Sequence, residues 1–417
     1  MPVDLTTPVP AGSIVADGRA AWHRLARTVA LSTVGGVGLW SVIVTMPAVA
    51  AEFGLDRSSA ALSYTAAVLG FAVGGVAFGR LADRRGIRLP LLAGSILLPL
   101  GYAAAATAPN FAVFLLAHAL LIGPAASASF APLLADCSLY FERRRGIAVA
   151  VAASGNYLAG AIWPSFIQQG IDAFGWRTAH GGVAAATLLL MLPLSMSLRS
   201  RPVVPGAGLA NAARRREQTM DLSRPLLQLL LVVAGLGCCV AMSMPQVHIV
   251  AYCGDLGYGV TRGAEMLSIM LGLGIVSRVG SGFVADRIGG VPTLLISSAM
   301  QGLSLVLFLF FDGLGALYAV SALFGLVQGG IVPCYAVIVR EYFPANEAGT
   351  RVGTVIMATL VGMAVGGWVS GVIFDLTGSY MAAFLNGIGW NLLNVSIMLF
   401  LLARRRGDGG RAVLAPA

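Results

Sequence analysis

Gly79-Arg80-Leu81-Ala82-Asp83-Arg84-Arg85-Gly86 separates two long apolar runs, and the chain repeats it as Gly282-Phe283-Val284-Ala285-Asp286-Arg287-Ile288-Gly289, with Asp83 and Asp286 203 residues apart. Two further echoes keep nearly the same offset: Tyr140-Phe141 returns as Tyr342-Phe343 at 202, and Pro132 as Pro333 at 201. Three matches at nearly one spacing mark the duplication of a unit of about 200 residues.

What surrounds the repeated segment is apolar. Of 417 residues 57% are hydrophobic and only 11% charged, with a mean hydropathy of +0.83; a soluble domain carries roughly 25% charged residues, so the solvent is lipid. Runs of about 20 residues, long enough to cross a hydrocarbon core of roughly 30 Å, fall near 28–50, 59–80, 89–108, 111–134, 146–168, 178–198, 226–251, 262–284, 292–311, 313–337, 352–373 and 380–403. Lipid cannot satisfy an open backbone, and barrel strands would be half as long and alternating, so these runs are helices. The expected fold class is an all-α integral membrane protein of twelve transmembrane helices in two parallel six-helix repeats. The boundaries follow: a tail at 1–26, bundles at 27–198 and 226–403, a linker rich in Arg, Pro, Gly and Ala at 199–225, and a tail at 404–417.

All 27 basic residues are arginine, which removes lysine Schiff-base chemistry. Placing the N-terminus inside puts 23 arginines in inner loops and tails and leaves three outside, Arg57, Arg177 and Arg262, with Arg278 inside a span. Cytoplasmic loops hold the positive charge, so both termini are expected in the cytoplasm. The net charge of +9 is thus loop topology, with no stripe for nucleic acid. Five cysteines without CxxC spacing read as small hydrophobes. No phosphate loop or metal-ligand cluster calls for a cofactor, and residues 1–26 lack the pattern of a cleaved leader.

Parallel halves related by an axis along the membrane normal are the architecture of rocker-switch carriers, whose substrate site lies between the halves near the midplane. Asp83 and Asp286, with Arg84 and Arg287 beside them, are placed just past the inner ends of the second and eighth spans, where a carboxylate caps a helix or pairs with arginine when the inner face closes. The alternative is a solvated charged turn. Arg278 lies eight residues before Asp286, about 12 Å along a helix, a depth at which a charge must face a cavity or a partner. Gly274 and Gly282 on its face leave room for a ligand, and the planar fork suits a carboxylate or phosphate. A structural role, snorkelling or pairing with Glu341 or Asp136, stays open. Asn156, Tyr157, Gln328 and Trp40 sit mid-helix as candidate substrate contacts, or as packing contacts between helices. His248 follows Pro245, expected to break the seventh helix, and is a candidate outer gate or proton carrier, or a plain interfacial residue. Asn386, Asn391 and Asn394 are expected to serve packing.

Gly79 to Arg88, read as G-x-L-A-D-R-x-G-x-R, resembles the conserved loop of the major facilitator superfamily, and the resemblance runs from Arg27 to Arg406. The fifth span, opening with Tyr140-Phe141-Glu142-Arg143-Arg144-Arg145-Gly146 and continuing through Ala148, Ala152 and Gly155, resembles the fifth-helix signature of monocarboxylate carriers, except that Ala159 stands where a glycine is expected and Gly160 follows it. Ser277-Arg278 and the glycine-rich run to Asp286-Arg287 resemble the eighth helix of the monocarboxylate carriers and oxalate/formate antiporters, which implies that Arg278 binds a carboxylate. Two departures narrow this. Gly274 replaces the acid that proton-coupled members carry one turn before the arginine, and the eleventh span has no lysine for a second carboxylate.

The expected function is secondary transport of a small organic anion, a monocarboxylate above all, by a monomer in the bacterial inner membrane. The alternative is an exporter of hydrophobic compounds in which Arg278 is structural. A membrane enzyme is disfavoured because the spans supply almost no acids, and a sensor because both tails are short.

Overall fold

The computed structural model describes residues 14–141, 144–198, 203–204 and 222–405. Twelve helical spans follow one another: Arg19–Phe53, Arg57–Arg85, Arg88–Ala106, Phe111–Leu139, Ile147–Phe174 and Trp176–Ser197 in the first half, then Arg224–Asp255, Val260–Ile288, Gly290–Phe310, Leu314–Tyr342, Glu347–Thr377 and Tyr380–Ala403 in the second. The connections are short. Gly54 (φ 64°) ends the first span and Gly378 (φ 65°) the eleventh in the left-handed conformation that glycine adopts without strain, and Asp56 and Asn110 cap the helices that follow them, through the N–H groups of Ser59 and Val113. A two-residue parallel pairing joins Ile14–Val15 to Val203–Val204. The expected linker at 199–225 lies outside the described residues except for 203–204 and 222–225, as do Arg143 of the basic cluster and residues 406–417.

Several local expectations are corrected. The first helix begins at Arg19, inside the segment expected to be a tail. Its first turns are amphipathic: Ala21, Trp22 and Leu25 pack on Cys137, Tyr140 and Phe141, and Arg24, only 5% exposed, pairs with Asp136 at 2.8 Å and lies 4.3 Å over the Tyr140 ring. Arg24 is therefore a buried structural ion with the Tyr140 ring as its platform, while Phe141 packs edge-on against Trp22 at 5.1 Å. Asp83 and Asp286 belong to the last turns of the second and eighth helices, not to the loops after them. The seventh helix runs unbroken from Arg224 to Asp255 with Pro245 inside it, so the proline removes one backbone bond without ending the helix.

The real interruptions lie elsewhere: the first span breaks at Gly36, without a counterpart in the seventh, and two others form a pair. The fourth span breaks between Ala128 and Ala131, after a π turn at His118–Ile122, and the tenth between Gln328 and Ile331. Pro132 and Pro333 explain both, since each lacks the N–H that the carbonyl four residues earlier, on Ala128 or Gly329, would accept from. Duplication has thus preserved a structural defect along with the loop motif.

Small residues set how closely helices approach. Gly325 and Gly329 of the tenth span lie so near the backbone of Met270 and Gly274 in the eighth that an added Cβ would collide with their carbonyl oxygens. Between the halves, the second span meets the eleventh and the fifth meets the eighth, most closely along their arginine-poor lengths. Thr65 Oγ1 donates to the Ala364 carbonyl at 2.9 Å, Gly367 faces Tyr64, and Gly160 faces Leu271. Eleven residues further along the same helices, three turns and hence the same face, nothing lies within 4 Å of a Cβ at Gly75, Gly353 or Gly282. The halves are closed toward the arginine-poor side and parted toward the arginine-rich one.

Gly325→Ala should destabilise the protein by about 1–3 kcal/mol, as overpacking does, whereas Gly282→Ala should be nearly neutral; thermal unfolding in detergent, measured on both variants beside the parent, checks the contrast.

Candidate functional site

Arg278 is 8% exposed in the middle of the eighth helix. Its Nε donates to the Gly329 carbonyl at 3.2 Å and its Nη1 to the Ala153 carbonyl at 3.1 Å, while the guanidinium carbon lies 4.3 Å from the centre of the Tyr157 ring. The Gly329 carbonyl is free for this because Pro333 cannot bond it, so the break in the tenth helix supplies the acceptor that anchors the charge. Ser277 Oγ accepts from the N–H of Gly330 at 3.3 Å, which fixes the eighth helix against that break, while Ser281 Oγ donates within its own helix to the Arg278 carbonyl at 3.1 Å. Since Ala153 and Tyr157 belong to the first half and Gly329 to the second, the guanidinium bridges the interface.

No carboxylate neutralises Arg278 among the described residues. Asp136 is held by Arg24, and Glu341 accepts from the N–H of Gly290 at the start of the ninth helix, at 3.0 and 3.2 Å. A guanidinium has five N–H donors; two are engaged by neutral carbonyls, and a cation stacked on a ring face keeps its charge. The arrangement leaves a positive charge with unused donors at the junction of two halves, which suits an anion.

The structure brings three of the other expected residues to this point. Tyr157 forms the face under the guanidinium; Trp40 packs edge-on against Tyr157 at 6.5 Å, and its Nε1 donates to the carbonyl of Asn156 at 2.9 Å and to Asn156 Oδ1 at 3.3 Å. Gln328 adjoins Gly329 in the chain, but its fully buried side chain accepts from Gln246 Nε2 at 2.5 Å. Gln246 of the seventh span was not singled out by sequence, and neither were the Ala153 and Gly329 carbonyls; a proline four residues after Gly329 was the signal for the last of these. Gly274 leaves no room for a ligand, because the Tyr157 ring fills it, 2.5 Å from where a Cβ would stand, whereas Gly282 is open. His248 is fully buried, with Nε2 2.8 Å from the Gly367 carbonyl and Nδ1 3.5 Å from the Tyr380 hydroxyl, which ties the seventh helix to the eleventh and twelfth. Asp83, Arg84, Asp286 and Arg287 are exposed at the side where the halves part. Asn391 and Asn394 bind Ser298 of the ninth helix.

Twelve helices in two parallel halves, with a charged site between them and openings at one side, define a carrier. A family model of the Major Facilitator Superfamily matches residues 28–314 and 279–416, and the chain belongs to that superfamily. It is a multi-pass membrane transporter of small molecules and not an enzyme. Among its relatives, Monocarboxylate transporter 13 of Bos taurus is 28% identical over 77% of this chain and 75% of that protein. Monocarboxylate transporter 11 of Homo sapiens is 29% identical over 92% and 83%, and the Agnestins efflux protein AgnL12 of Paecilomyces divaricatus is 26% identical over 84% and 80%.

Gly274→Asp should drive the Tyr157 ring off Arg278 and place an acid beside the guanidinium. A lowered unfolding temperature and loss of any stabilisation by added anions are the expected results, read by differential scanning fluorimetry against the parent.

Proposed function

We propose that this protein is a secondary carrier of small organic anions, monocarboxylates in particular, working as a monomer by alternation of its two halves. The observation that carries the reading is Arg278: a buried cation at the interface whose partners among the described residues are neutral carbonyls and a ring face. Arg278 binds the carboxylate, Tyr157 and Asn156 shape the first-half wall, Trp40 holds Asn156 in place, and Gln328 orients the broken tenth helix. A single cation with no second basic residue in the eleventh span beyond Arg351, which Glu347 holds at 2.7 Å, favours one carboxylate over two. Monocarboxylate transporters among the relatives support the substrate class. The 23-to-3 arginine bias supports an orientation with the arginine-rich side in the cytoplasm. The named relatives are mammalian and fungal, so placement in the bacterial inner membrane is proposed on the sequence alone.

A second reading is favoured by a different observation. Two of the guanidinium's donors are already satisfied by backbone, and a fungal efflux protein stands among the relatives. In that case Arg278 is a structural tie and the cargo is a hydrophobic compound. Uptake and counterflow of labelled monocarboxylates, dicarboxylates and organophosphates in proteoliposomes separate the two. Losing one partner of a buried charged pair costs about 3–5 kcal/mol, roughly two to four decades in affinity. Arg278→Ala at matched membrane levels should therefore nearly abolish transport of the preferred anion, and Arg278→Lys should retain weak, less selective transport. Near-native carboxylate affinity in Arg278→Ala would hand the case to the exporter.

Asp83 and Asp286, with Arg84 and Arg287, are proposed to meet when the arginine-rich side closes. Asp83→Asn should slow counterflow several-fold while leaving the half-saturating substrate concentration near that of the parent; a loss of binding instead would remove the gating role.

A further inference from the structure

The arginine-poor side is sealed by carboxylates that reach across from one half to helix starts of the other. Asp375, at the end of the eleventh span, accepts from the backbone N–H of Arg57 at 2.9 Å and of Ser58 at 2.7 Å. These are two of the first amides of the second helix, which have no partner inside it. The Arg57 guanidinium in turn donates to Asp255 at the end of the seventh helix at 2.5 Å and lies 5.6 Å over the Phe374 ring. Gly371 makes the approach possible, since a Cβ there would stand 2.9 Å from the Arg57 carbonyl oxygen. The second helix also carries its own cap, Asp56, whose carboxyl is held below the ordinary carboxylate range by hydrogen bonds from Ser59. Asp375 therefore completes a helix end that belongs to the opposite half.

The duplicated half contains the same device. Asp172 precedes Asp375 by 203 residues and Ser58 precedes Thr261 by 203, the spacing of Asp83 and Asp286; each aspartate stands three residues before a glycine with positive φ, Gly175 or Gly378. Asp172 Oδ2 accepts from Thr261 Oγ1 at 3.0 Å at the start of the eighth helix, and Gln168 holds its other oxygen at 2.7 Å. One carboxylate takes two backbone amides, the other a hydroxyl.

We propose that Asp375 and Asp172 are paired latches that hold the arginine-poor gate shut, with Asp375 and its Arg57–Asp255 companion the stronger. The reading concerns the gate and stands apart from the identity of the cargo. The bonds that Asp375 and Asp255 accept from the second helix, and the one between Thr261 and Asp172, all join different halves. Opening that side must therefore break them all, and a carboxylate at a helix start gains from the positive end of the helix dipole as well as from the amides. An amide in its place keeps the shape and loses the charge.

Just beneath the latches the hydroxyls of Ser165 and Ser268 face each other across the interface at 3.1 Å, and the five native cysteines are buried. A Ser268→Cys reporter in proteoliposomes, treated with a membrane-impermeant maleimide from each side in turn, reads the opening of this gate without any substrate. Loss of charge-assisted bonds predicts labelling about tenfold faster in Asp375→Asn and in Arg57→Ala, and a smaller gain in Asp172→Asn, all from the arginine-poor side, with background taken from the parent chain that keeps Ser268. Unchanged rates in both Asp375→Asn and Arg57→Ala, or equal gains from the two sides, would overturn the proposal.

Discussion

A carbonyl without a donor in a low-dielectric interior has to be answered, and Pro333 creates one at Gly329. In water the cost is small; inside a membrane protein it is several kcal/mol. Arg278 supplies the missing donor, and in doing so solves its own problem, since a guanidinium at that depth needs acceptors too. Much of the centre of the protein follows from this exchange. The eighth and tenth helices must approach closely, which Gly325, Gly329 and Gly274 allow; the guanidinium is pinned beside the interface; and its face is left for Tyr157 from the other half.

The same interface is asymmetric along its length. Toward the arginine-poor side it is tied by carboxylates, hydroxyls and close glycine contacts, while toward the other side equivalent faces of the second, eighth and eleventh helices stand bare. Glycine serves both conditions. It allows near contact where helices meet, and where they part it keeps the surface free of side chains that would obstruct a later approach. A rocking motion needs surfaces that fit in two arrangements, and small residues are the simplest way to satisfy both.

Much of this was readable in advance, and what was not has definite causes. The twelve spans were legible because each is a long apolar run, and the repeat because the Asp83 segment recurs at Asp286. The start of the first helix was missed because Arg19 to Arg27 is amphipathic, polar in composition though one face is buried on Tyr140 and Phe141. Arg278 stood out as a lone charge, yet its partners did not, since backbone carbonyls have no letter in a sequence. The pairing of Gln328 with Gln246 depends on how two helices are rotated against each other. Gly274 was read as space, but space in a packed interior is taken by the nearest large side chain, here Tyr157. Asp172 and Asp375 were within reach of the repeat spacing, and only the fold shows that they face helix ends across the interface.

The position that corresponds to Arg278 in the first half, 203 residues earlier, is Gly75. Duplication therefore did not leave two facing guanidinium groups, whose repulsion in a poorly screened site would hold the halves apart; a single charge remains. That count has an electrical meaning. If the proposed anion-carrier function holds, the empty site presents one positive charge at the interface, and with a monoanion bound it presents none. A membrane potential does work on a moving charge of about 2.3 kcal/mol per 100 mV if the charge crosses the full field. Voltage would then act chiefly on the return of the empty protein, and the loaded crossing would be nearly indifferent to it.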